Sequence, residues 1–391
     1  MYFHLILDVK QFLLNKMYND MRAIFFLIMF SVFGLMNYYV SLRGWQVLST
    51  FGILKFVIPI LIISMFVAFM STMMFGAKMP VGIAKAVSFF GNTYVVVLIY
   101  LLLSFMVVDV VRLLNMVFPF LENGMLAFRF YSLVVSAIAI SIALVVGNYK
   151  FNHPQVVKLN ISLEKPKQHK NLRIVAVSDV HLGFSIDKKR LQSYVKLIND
   201  QQPDIVLLAG DISDRPVSPI VRQNMKEELS SITTKYGVYA INGNHEYMAE
   251  EPLAMTPYLK EAGIKVLRDN VVMVDSSFYI VGRDDKMNPN RSSVAELVMG
   301  LDVGLPKIMM DHQPFHLEEA EKNGVDLQIS GHTHNGQFFP GNLIVKWMYE
   351  LGYGYKKKGN THYYVSSGLG IWGPQYRIGT QSEIVLIELE Y

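Results

Sequence analysis

Four apolar stretches in the first 149 residues constrain this chain more than any other feature. Each is close to the roughly 20 residues that an α-helix needs to cross the hydrocarbon core of a bilayer. Buried helices of soluble proteins seldom form a series of such runs, and we therefore predict four membrane-spanning helices. They cover residues 23–40, 56–74, 94–111 and 130–147.

The charged residues divide the chain at the same place. Residues 1–149 contain nine Lys and Arg and four Asp and Glu, whereas residues 150–391 contain 27 and 28. The first part is the membrane region, and the second has the composition of a soluble domain. Because the second part is nearly neutral, it lacks the dense basic face of a nucleic-acid-binding protein. We therefore expect a lipid bilayer as a partner and no nucleic acid.

The first apolar stretch is not typical of a cleaved signal peptide. No small-residue cleavage site follows it, and the sequence continues as NYYVSLRGWQVL. Residues 1–20 are too interrupted by charge to span a membrane, and Met1 and Met21 are both candidate starting residues. Near the end of the third span, Asp109 and Arg112 are interpreted as an ion pair at a helix end.

Basic residues in short flanking segments predict the orientation of the spans. Eleven lie on the side of the C-terminal domain and four on the opposite side, which favours a cytoplasmic catalytic domain in the cell membrane. The eleven are Lys10, Lys16, Arg22, Lys78, Lys85, Lys150, Lys158, Lys165, Lys167, Lys170 and Arg173, and the four are Arg43, Lys55, Arg112 and Arg129.

After residue 150, near-continuous apolar strands alternate with amphipathic helices, which indicates an α/β core with buried sheets. Residues 150–170 form a basic linker in which Val156–Leu163 alternates like an edge strand, and residues 171–391 form the domain. Its strand-rich tail, HYYVSSGLGIW and SEIVLIELEY, suggests a second sheet packed on the first.

Five of the apolar strands end in residues that bind metals. Ligands in α/β sheets gather beyond the carboxyl ends of the strands, so these side chains are expected to converge. Glycines beside them let the backbone approach closely. The five ends carry Asp179 and His181, Asp211, Asn244 and His245, Asp311 and His312, and His332 and His334.

The last of these ends predicts more than one metal ion. His332 and His334 are one residue apart and would point the same way in an extended segment, so they are expected to bind two adjacent ions. Carboxylate, imidazole and amide ligands without sulfur suit Mn²⁺, with Fe or Zn²⁺ as alternatives. A carboxylate that bridges both ions is needed, and Asp211 is the candidate.

The pattern D-x-H, G-D-x-x-D, G-N-H-E, a lone H and G-H-x-H resembles the calcineurin-like metallophosphoesterase superfamily over residues 170–340. The GHTHNGQ segment resembles its bacterial membrane- or envelope-associated branch, in which some relatives cleave phosphodiesters and others cleave a UDP-linked pyrophosphate. The resemblance implies an α/β double-sheet sandwich that binds two metal ions. It assigns Asp179, His181, Asp211 and His334 to one ion, and Asp211, Asn244, His312 and His332 to the other.

The same resemblance implies that His245 contacts the scissile phosphate and protonates the leaving oxygen, a general-acid role that suits imidazole. Asp214 would orient it. The expected protein is a membrane-anchored phosphohydrolase that uses metal-bound hydroxide to cleave a phosphodiester, phosphomonoester or pyrophosphate bond, with a lipid or lipid-linked molecule as an attractive substrate.

Two other functions compete with this hypothesis. A membrane receptor or scaffold would bind a phosphorylated ligand without turnover, although the full ligand set and His245 argue against it. A transporter would need a polar path through the spans, and Asp109 is too isolated to supply one. His316 is the one competing ligand candidate. Surface or structural roles are expected for Arg215, Arg283, Arg291 and Arg377, and a solvated turn for Lys356–Lys358.

Overall fold

The computed structural model describes residue 24 and residues 27–121, 124–165, 170–249 and 251–391. The chain divides into two compact units. One comprises Met1–Met70 with Thr93–Ile140, and the other comprises Ser71–Asn92 with Ser141–Tyr391. Three of the long apolar helices, Val57–Phe75, Val81–Val117 and Met125–Asn152, therefore begin in one unit and end in the other.

The apolar part is helical. Residues 27–47 form α1, a 3-10 segment at Ser49–Phe56 leads into α2 (Val57–Phe75), and α3 (Val81–Val117) and α4 (Met125–Asn152) follow. Among the described residues, three helical segments are long and apolar enough to span a membrane: Ser49–Phe75, Val81–Val117 and Met125–Asn152. They contain the predicted spans 56–74, 94–111 and 130–147. The predicted span 23–40 lies partly outside the described residues.

Asp109 on α3 is the centre of an ion-pair cluster. Its carboxylate lies 3.2 Å from Nη1 of Arg112 and 2.6 Å from Nη2 of Arg43 on α1, and the Tyr39 hydroxyl donates to it at 2.8 Å. The predicted pairing with Arg112 is therefore present. The contacts with α1 show that Asp109 also connects two helices.

The second unit contains two six-stranded sheets. In the first the strand order is β1-β12-β2-β3-β4-β5, and in the second it is β10-β11-β9-β8-β7-β6. The strands are β1 Gln155–Ser162, β2 Asn171–Val177, β3 Ile205–Ala209, β4 Val238–Ile241, β5 Lys265–Val266, β6 Asn270–Val274, β7 Phe278–Gly282, β8 Lys307–Met310, β9 Leu327–Ser330, β10 Gly354–Lys358, β11 Thr361–Val365 and β12 Glu383–Glu390.

Short helices connect the strands. They are α5 Lys188–Asn199, α6 Ser218–Arg222, α7 Lys226–Ser230, α8 Asn244–Tyr247, α9 Met255–Glu261, α10 Val294–Val298, α11 Leu317–Lys322 and α12 Gly341–Met348. The start of α5 is fixed by Asp187, whose side chain accepts a hydrogen bond from the Arg190 N–H. The amphipathic segment PIVRQNMKEELSSIT is not one helix, because α6 and α7 are separated at residues 223–225.

The sheets pack face to face around one apolar core. Ile174, Leu207 and Tyr239 of the first sheet meet Ile280 and Ile308 of the second. Helices cover the outer faces, where Leu191 of α5 packs on the first sheet and Leu317 of α11 on the second. This is the expected two-sheet α/β architecture, and because both faces of each sheet are covered, its central strands are apolar throughout.

All five strands expected to carry ligands are present, and β1 is an edge strand as expected. The prediction for the tail is only partly right. β11 joins the second sheet, but β12 inserts between β1 and β2 in the first. β12 runs parallel to β1 and antiparallel to β2, a pairing that apolar pattern alone does not encode.

Candidate metal centre

The nine predicted site residues come from both sheets. The segments after β2, β3 and β4 of the first sheet supply Asp179, His181, Asp211, Asp214, Asn244 and His245. The segments after β8 and β9 of the second sheet supply His312, His332 and His334. The predicted site residues therefore follow strand ends of two sheets, and not strand ends of a single sheet.

A first cluster contains Asp179, His181 and His334, which are all buried and each offer a ligand atom within 4.8 Å of the others. Nε2 of His181 lies 3.1 Å from Nε2 of His334, and Asp179 Oδ1 lies 3.3 Å from the same His334 nitrogen. Two ring nitrogens and a carboxylate oxygen thus face one small volume without water access. Such a donor set suits a divalent cation.

A second cluster contains Asp211, His312 and His332. Asp211 Oδ2 lies 3.2 Å from Nε2 of His312, and Oδ1 of Asn244 lies 2.7 Å from Nδ1 of His332. The other ring nitrogen of His312, Nδ1, is 2.7 Å from the Ala209 carbonyl oxygen. This contact orients the ring so that Nε2 faces Asp211, in the way that a hydrogen bond at the far ring nitrogen orients metal-binding histidines.

Asp211 lies between the two clusters. The carboxylate oxygen that faces His312 is also 3.9 Å from Nε2 of His181, which belongs to the first cluster. Its other oxygen accepts a hydrogen bond from the His245 N–H at 2.8 Å. Asp211 therefore has the position that a carboxylate shared by two ions would need.

His332 and His334 are divided between the clusters, but the reason predicted from an extended segment is wrong. Both have left-handed backbones, with φ of 71° and 50°, and Thr333 between them is helical with φ of −77°. The segment is a turn, and the turn, not strand alternation, directs the two rings to different clusters.

Left-handed backbone is common at this site. Asp179, His181 and Asp211 have φ between 51° and 53°, in addition to His332 and His334. For residues with a Cβ this conformation costs free energy and persists only where surrounding contacts enforce it. Five such residues lie in this one pocket. The contacts that place their side chains there therefore compensate for the free-energy cost of the left-handed backbone.

Burial keeps most of the site imidazoles neutral. It lowers the pKa of His181 to about 3 and that of His332 to about 4, and it lowers the pKa of His334 well below its ordinary value. Neutral imidazole is the form that binds metals. For His312 burial acts in the same direction, but the Asp211 carboxylate outweighs it and raises the pKa well above normal. The pocket thus favours a cation beside Asp211.

These observations fit two divalent ions. The Nε2 atoms of His181 and His334 face each other at 3.1 Å, and among the described residues Nε2 of His312, though buried, has no well-aligned hydrogen-bond partner. Buried ring nitrogens ordinarily have partners. A cation in the second cluster would give Nε2 of His312 this partner, and the two facing nitrogens of the first cluster would bind another.

His245 and Asp214 lie at the edge of the clusters. Nδ1 of His245 is 3.5 Å from the Asp214 carboxylate, which is also 3.7 Å from Nδ1 of His181. Burial lowers the pKa of His245, but Asp214 and Asp211 overcome this effect and raise it. A partly accessible imidazole next to the pocket, with its pKa raised by two carboxylates, has the properties of a proton donor.

Glu246 is a site residue that the sequence analysis did not single out. Its buried carboxylate accepts hydrogen bonds from the backbone N–H groups of Asp211, Ser213 and Gly243. It thereby fastens the segment after β3 to the segment after β4. Burial and the charge of Asp211 raise its pKa to about 7. Its position as the last residue of the G-N-H-E motif was the sequence feature that could have identified it.

Arg377 is structural, as expected, but it is fully buried and touches the metal-site loop. Its guanidinium donates to the carbonyl oxygens of His334, Gly368 and Gly370 at 3.1, 3.0 and 2.6 Å. Its backbone N–H donates to the Gly147 carbonyl oxygen of α4 at 2.9 Å. One residue thus connects a predicted ligand to the end of a candidate membrane helix.

The remaining candidates lie outside the clusters. His316 is on the surface, 3.3 Å from Glu318. Arg283 and Arg291 pair with Asp311, which precedes His312. The solvated turn expected at Lys356–Lys358 is wrong, because these residues belong to β10, where Lys356 pairs with Glu350 at 2.8 Å.

The fold and site together define a two-sheet α/β protein with a buried carboxylate–imidazole centre of the kind that binds a pair of divalent ions. Residues 172–336 match the calcineurin-like phosphoesterase family. An uncharacterized metallophosphoesterase of Campylobacter jejuni is 31% identical over 264 residues, which are 66% of this chain and 69% of that protein. The chain belongs to the calcineurin-like phosphoesterase family.

Other relatives include a transmembrane protein of a vertebrate and a further bacterial protein. A zebrafish transmembrane protein with a metallophosphoesterase domain is 30% identical over 253 residues, or 61% of this chain and 57% of that protein. An uncharacterized metallophosphoesterase of Helicobacter pylori is 30% identical over 60% of this chain and 64% of its own length. The chain spans less than two thirds of these two relatives.

Proposed function

We propose that this protein is a membrane-anchored, two-metal-dependent phosphohydrolase of the bacterial membrane- or envelope-associated branch of its family. It cleaves a phosphodiester, phosphomonoester or pyrophosphate bond in a phospholipid or lipid-linked substrate. Residues 1–149 anchor it through four spans, and residues 171–391 form a catalytic domain on the cytoplasmic side. Family membership and the buried clusters support the catalytic part, and the long apolar helices support the anchor.

The proposed centre holds one ion with Asp179, His181, Asp211 and His334, and a second with Asp211, Asn244, His312 and His332. Mn²⁺ is the metal most suited to this oxygen and nitrogen set. When bound, two such ions neutralise charge on phosphoryl oxygens and acidify a water molecule. The position of Asp211, 3.2 Å from His312 and 3.9 Å from His181, is the observation that carries this proposal.

The proton donor for the leaving oxygen is His245. Its imidazole adjoins the pocket, and Asp214 at 3.5 Å supports the charged form and orients the ring. General acids of this kind contribute about 10²–10⁴-fold in rate. Neither residue is needed to hold metal in this scheme, so catalysis and metal binding are separable.

The test uses the full chain purified in detergent, with Mn²⁺ and bis(p-nitrophenyl) phosphate. We expect metal-dependent hydrolysis, and we expect His245→Ala to lose about 10²–10⁴-fold in turnover while keeping the wild-type metal content by elemental analysis. Asp211→Asn is the matched variant that should lose both.

A receptor or scaffold that binds a phosphorylated ligand is the alternative function. Such a protein would be indifferent to His245→Ala. Absence of hydrolysis with every divalent metal, in a protein that is shown to contain two ions, would overturn the enzymatic proposal in its favour.

A further inference from the structure

Helix α12, directly after the predicted ligands His332 and His334, has an unusual surface. None of its residues is buried. Trp347 is 86% exposed, and Leu343, Ile344 and Met348 are each 55% exposed. Phe339, just before the helix, is 46% exposed. Soluble surfaces rarely expose large apolar side chains next to each other without a partner.

The inner side of the helix is attached to the metal-site loop. A side chain on Gly352 would meet Val345 of α12, and the Gly352 carbonyl oxygen accepts a hydrogen bond from the Thr333 hydroxyl at 2.6 Å. Thr333 stands between His332 and His334. The exposed apolar face is therefore held in a fixed place beside the candidate metal centre.

The segment that leads into α12 is also next to the ends of the candidate membrane helices. The Phe339 N–H donates to the Ile378 carbonyl oxygen at 2.8 Å, and the neighbouring Arg377 N–H donates to Gly147 of α4 at 2.9 Å. From α3, the Asn92 side chain donates to the Gly373 carbonyl oxygen at 3.1 Å. The apolar face of α12 thus begins beside the portions of α3 and α4 that belong to the second unit.

We infer that α12 is an interfacial helix that lies in the head-group region of the bilayer into which α3 and α4 insert. Leu343, Ile344 and Trp347 contact the upper acyl chains. Lys346, the only charged residue of the helix, reaches the lipid phosphates by extending its aliphatic stem along the apolar face. Continuity with the membrane helices distinguishes a bilayer from a protein as the occupant.

The consequence for the substrate rests on the proposed function. A membrane-docked helix attached to the loop of His332 and His334 holds the centre at the depth of lipid head groups. It thereby favours phosphorylated lipids over water-soluble phosphates. The docking itself does not depend on turnover.

The absence of Cys allows a direct test. Trp347→Cys introduces a single thiol, which is spin-labelled in full-length protein reconstituted at one copy per lipid nanodisc. We expect high accessibility to oxygen and low accessibility to a water-soluble nickel complex, with the reverse at Lys196→Cys on α5, where the side chain is 75% exposed. Leu343→Cys repeats the measurement on the same face, and metal content verifies folding of each variant.

Equal nickel accessibility at positions 347 and 196 would overturn the inference. Protection at position 347 that appears only with two copies per disc would also overturn it, because it would identify α12 as a contact between copies. Since neither measurement requires hydrolysis, failure here leaves the proposed enzyme intact, and an inactive protein with a lipid-protected label would leave the docking intact.

Discussion

Gly331 illustrates how closely the backbone and the candidate ligands approach each other. A side chain on Gly331 would collide with the carboxylate of Asp179 and with Ser178. Gly243 has the same relation to Asp211. These glycines are needed for space, since the carboxylates occupy the volume that a Cβ would take.

Gly331→Ala should displace Asp179 and weaken metal binding by about 10- to 100-fold, the range for changes that misplace a ligand. Isothermal titration of the metal-free protein with Mn²⁺ measures the effect. Gly82→Ala is the control, because a Cβ at Gly82 would meet nothing within 4 Å. Equal affinity of Gly331→Ala and wild type would show that the Asp179 carboxylate has room to move.

For individual residues, the sequence was enough to predict which side chains could bind metal and that they follow strands. It was not enough to predict their backbone conformation. The strand pattern is enough to bring Asp179 and Asp211 together, because β2 and β3 are adjacent parallel strands whose carboxyl ends share an edge. The approach of His312 depends on how the second sheet packs on the first. The left-handed turn at His332 is accompanied by contacts with Asn244 and Asp179, which come from distant parts of the chain. The role of Glu246 was not predicted because its hydrogen-bond donors are backbone N–H groups, which the sequence does not distinguish from one another.

At the scale of elements, an ion pair connects α3 with α5. Nζ of Lys85 lies 2.6 Å from the carboxylate of Asp187, which also caps α5. Burial raises the pKa of Asp187, but the Lys85 ammonium and the Arg190 N–H outweigh it and lower the pKa below 3.8. The folded state therefore gains stability above the unfolded pKa and loses it as pH falls through the folded pKa.

Asp187→Asn should preserve the cap, since Asn and Asp cap equally well, and remove only the charge. We expect a loss of about 0.2–1 kcal/mol at pH 7 that shrinks as the pH falls through the lowered pKa of the wild-type carboxyl. Thermal unfolding of metal-free wild type and variant over a series of pH values from neutral to acid measures it. A penalty that is the same throughout the series would indicate that packing, and not charge, is responsible.

Elements were predicted well where the pattern was long and poorly where it was short. The segment GNLIVKWM was not recognised as a helix, because eight residues with apolar side chains on a solvent-exposed face do not show a buried stripe. The tail strand β12 was recognised as a strand, but its sheet was not, since pairing partners are separated by most of the domain.

For the whole molecule, metal binding and folding should be coupled. The centre joins segments from both sheets, and buried Asp179 and Asp211 bring their carboxylates into one pocket. An ion whose free concentration is about 100 times its dissociation constant stabilises the folded state by about 2.7 kcal/mol. For a domain of this size we expect chelation to lower the midpoint of thermal unfolding by about 5–10 °C.

Differential scanning fluorimetry with EDTA, followed by excess Mn²⁺, measures this shift and its recovery. Asp211→Asn serves as the control and should show little response to either reagent. An unchanged midpoint in the wild type would mean that the two sheets hold the pocket together without help from cations.

The pairing of β12 has a consequence for biosynthesis. Among the described strands β1 pairs with β12 alone, so the strand that leaves the ribosome just after α4 must wait for residues 383–390 before it acquires a neighbour. All of the predicted ligands are translated in that interval. A nascent chain will therefore carry an unpaired strand edge until β12 has been made, and chaperone protection matters most during that period.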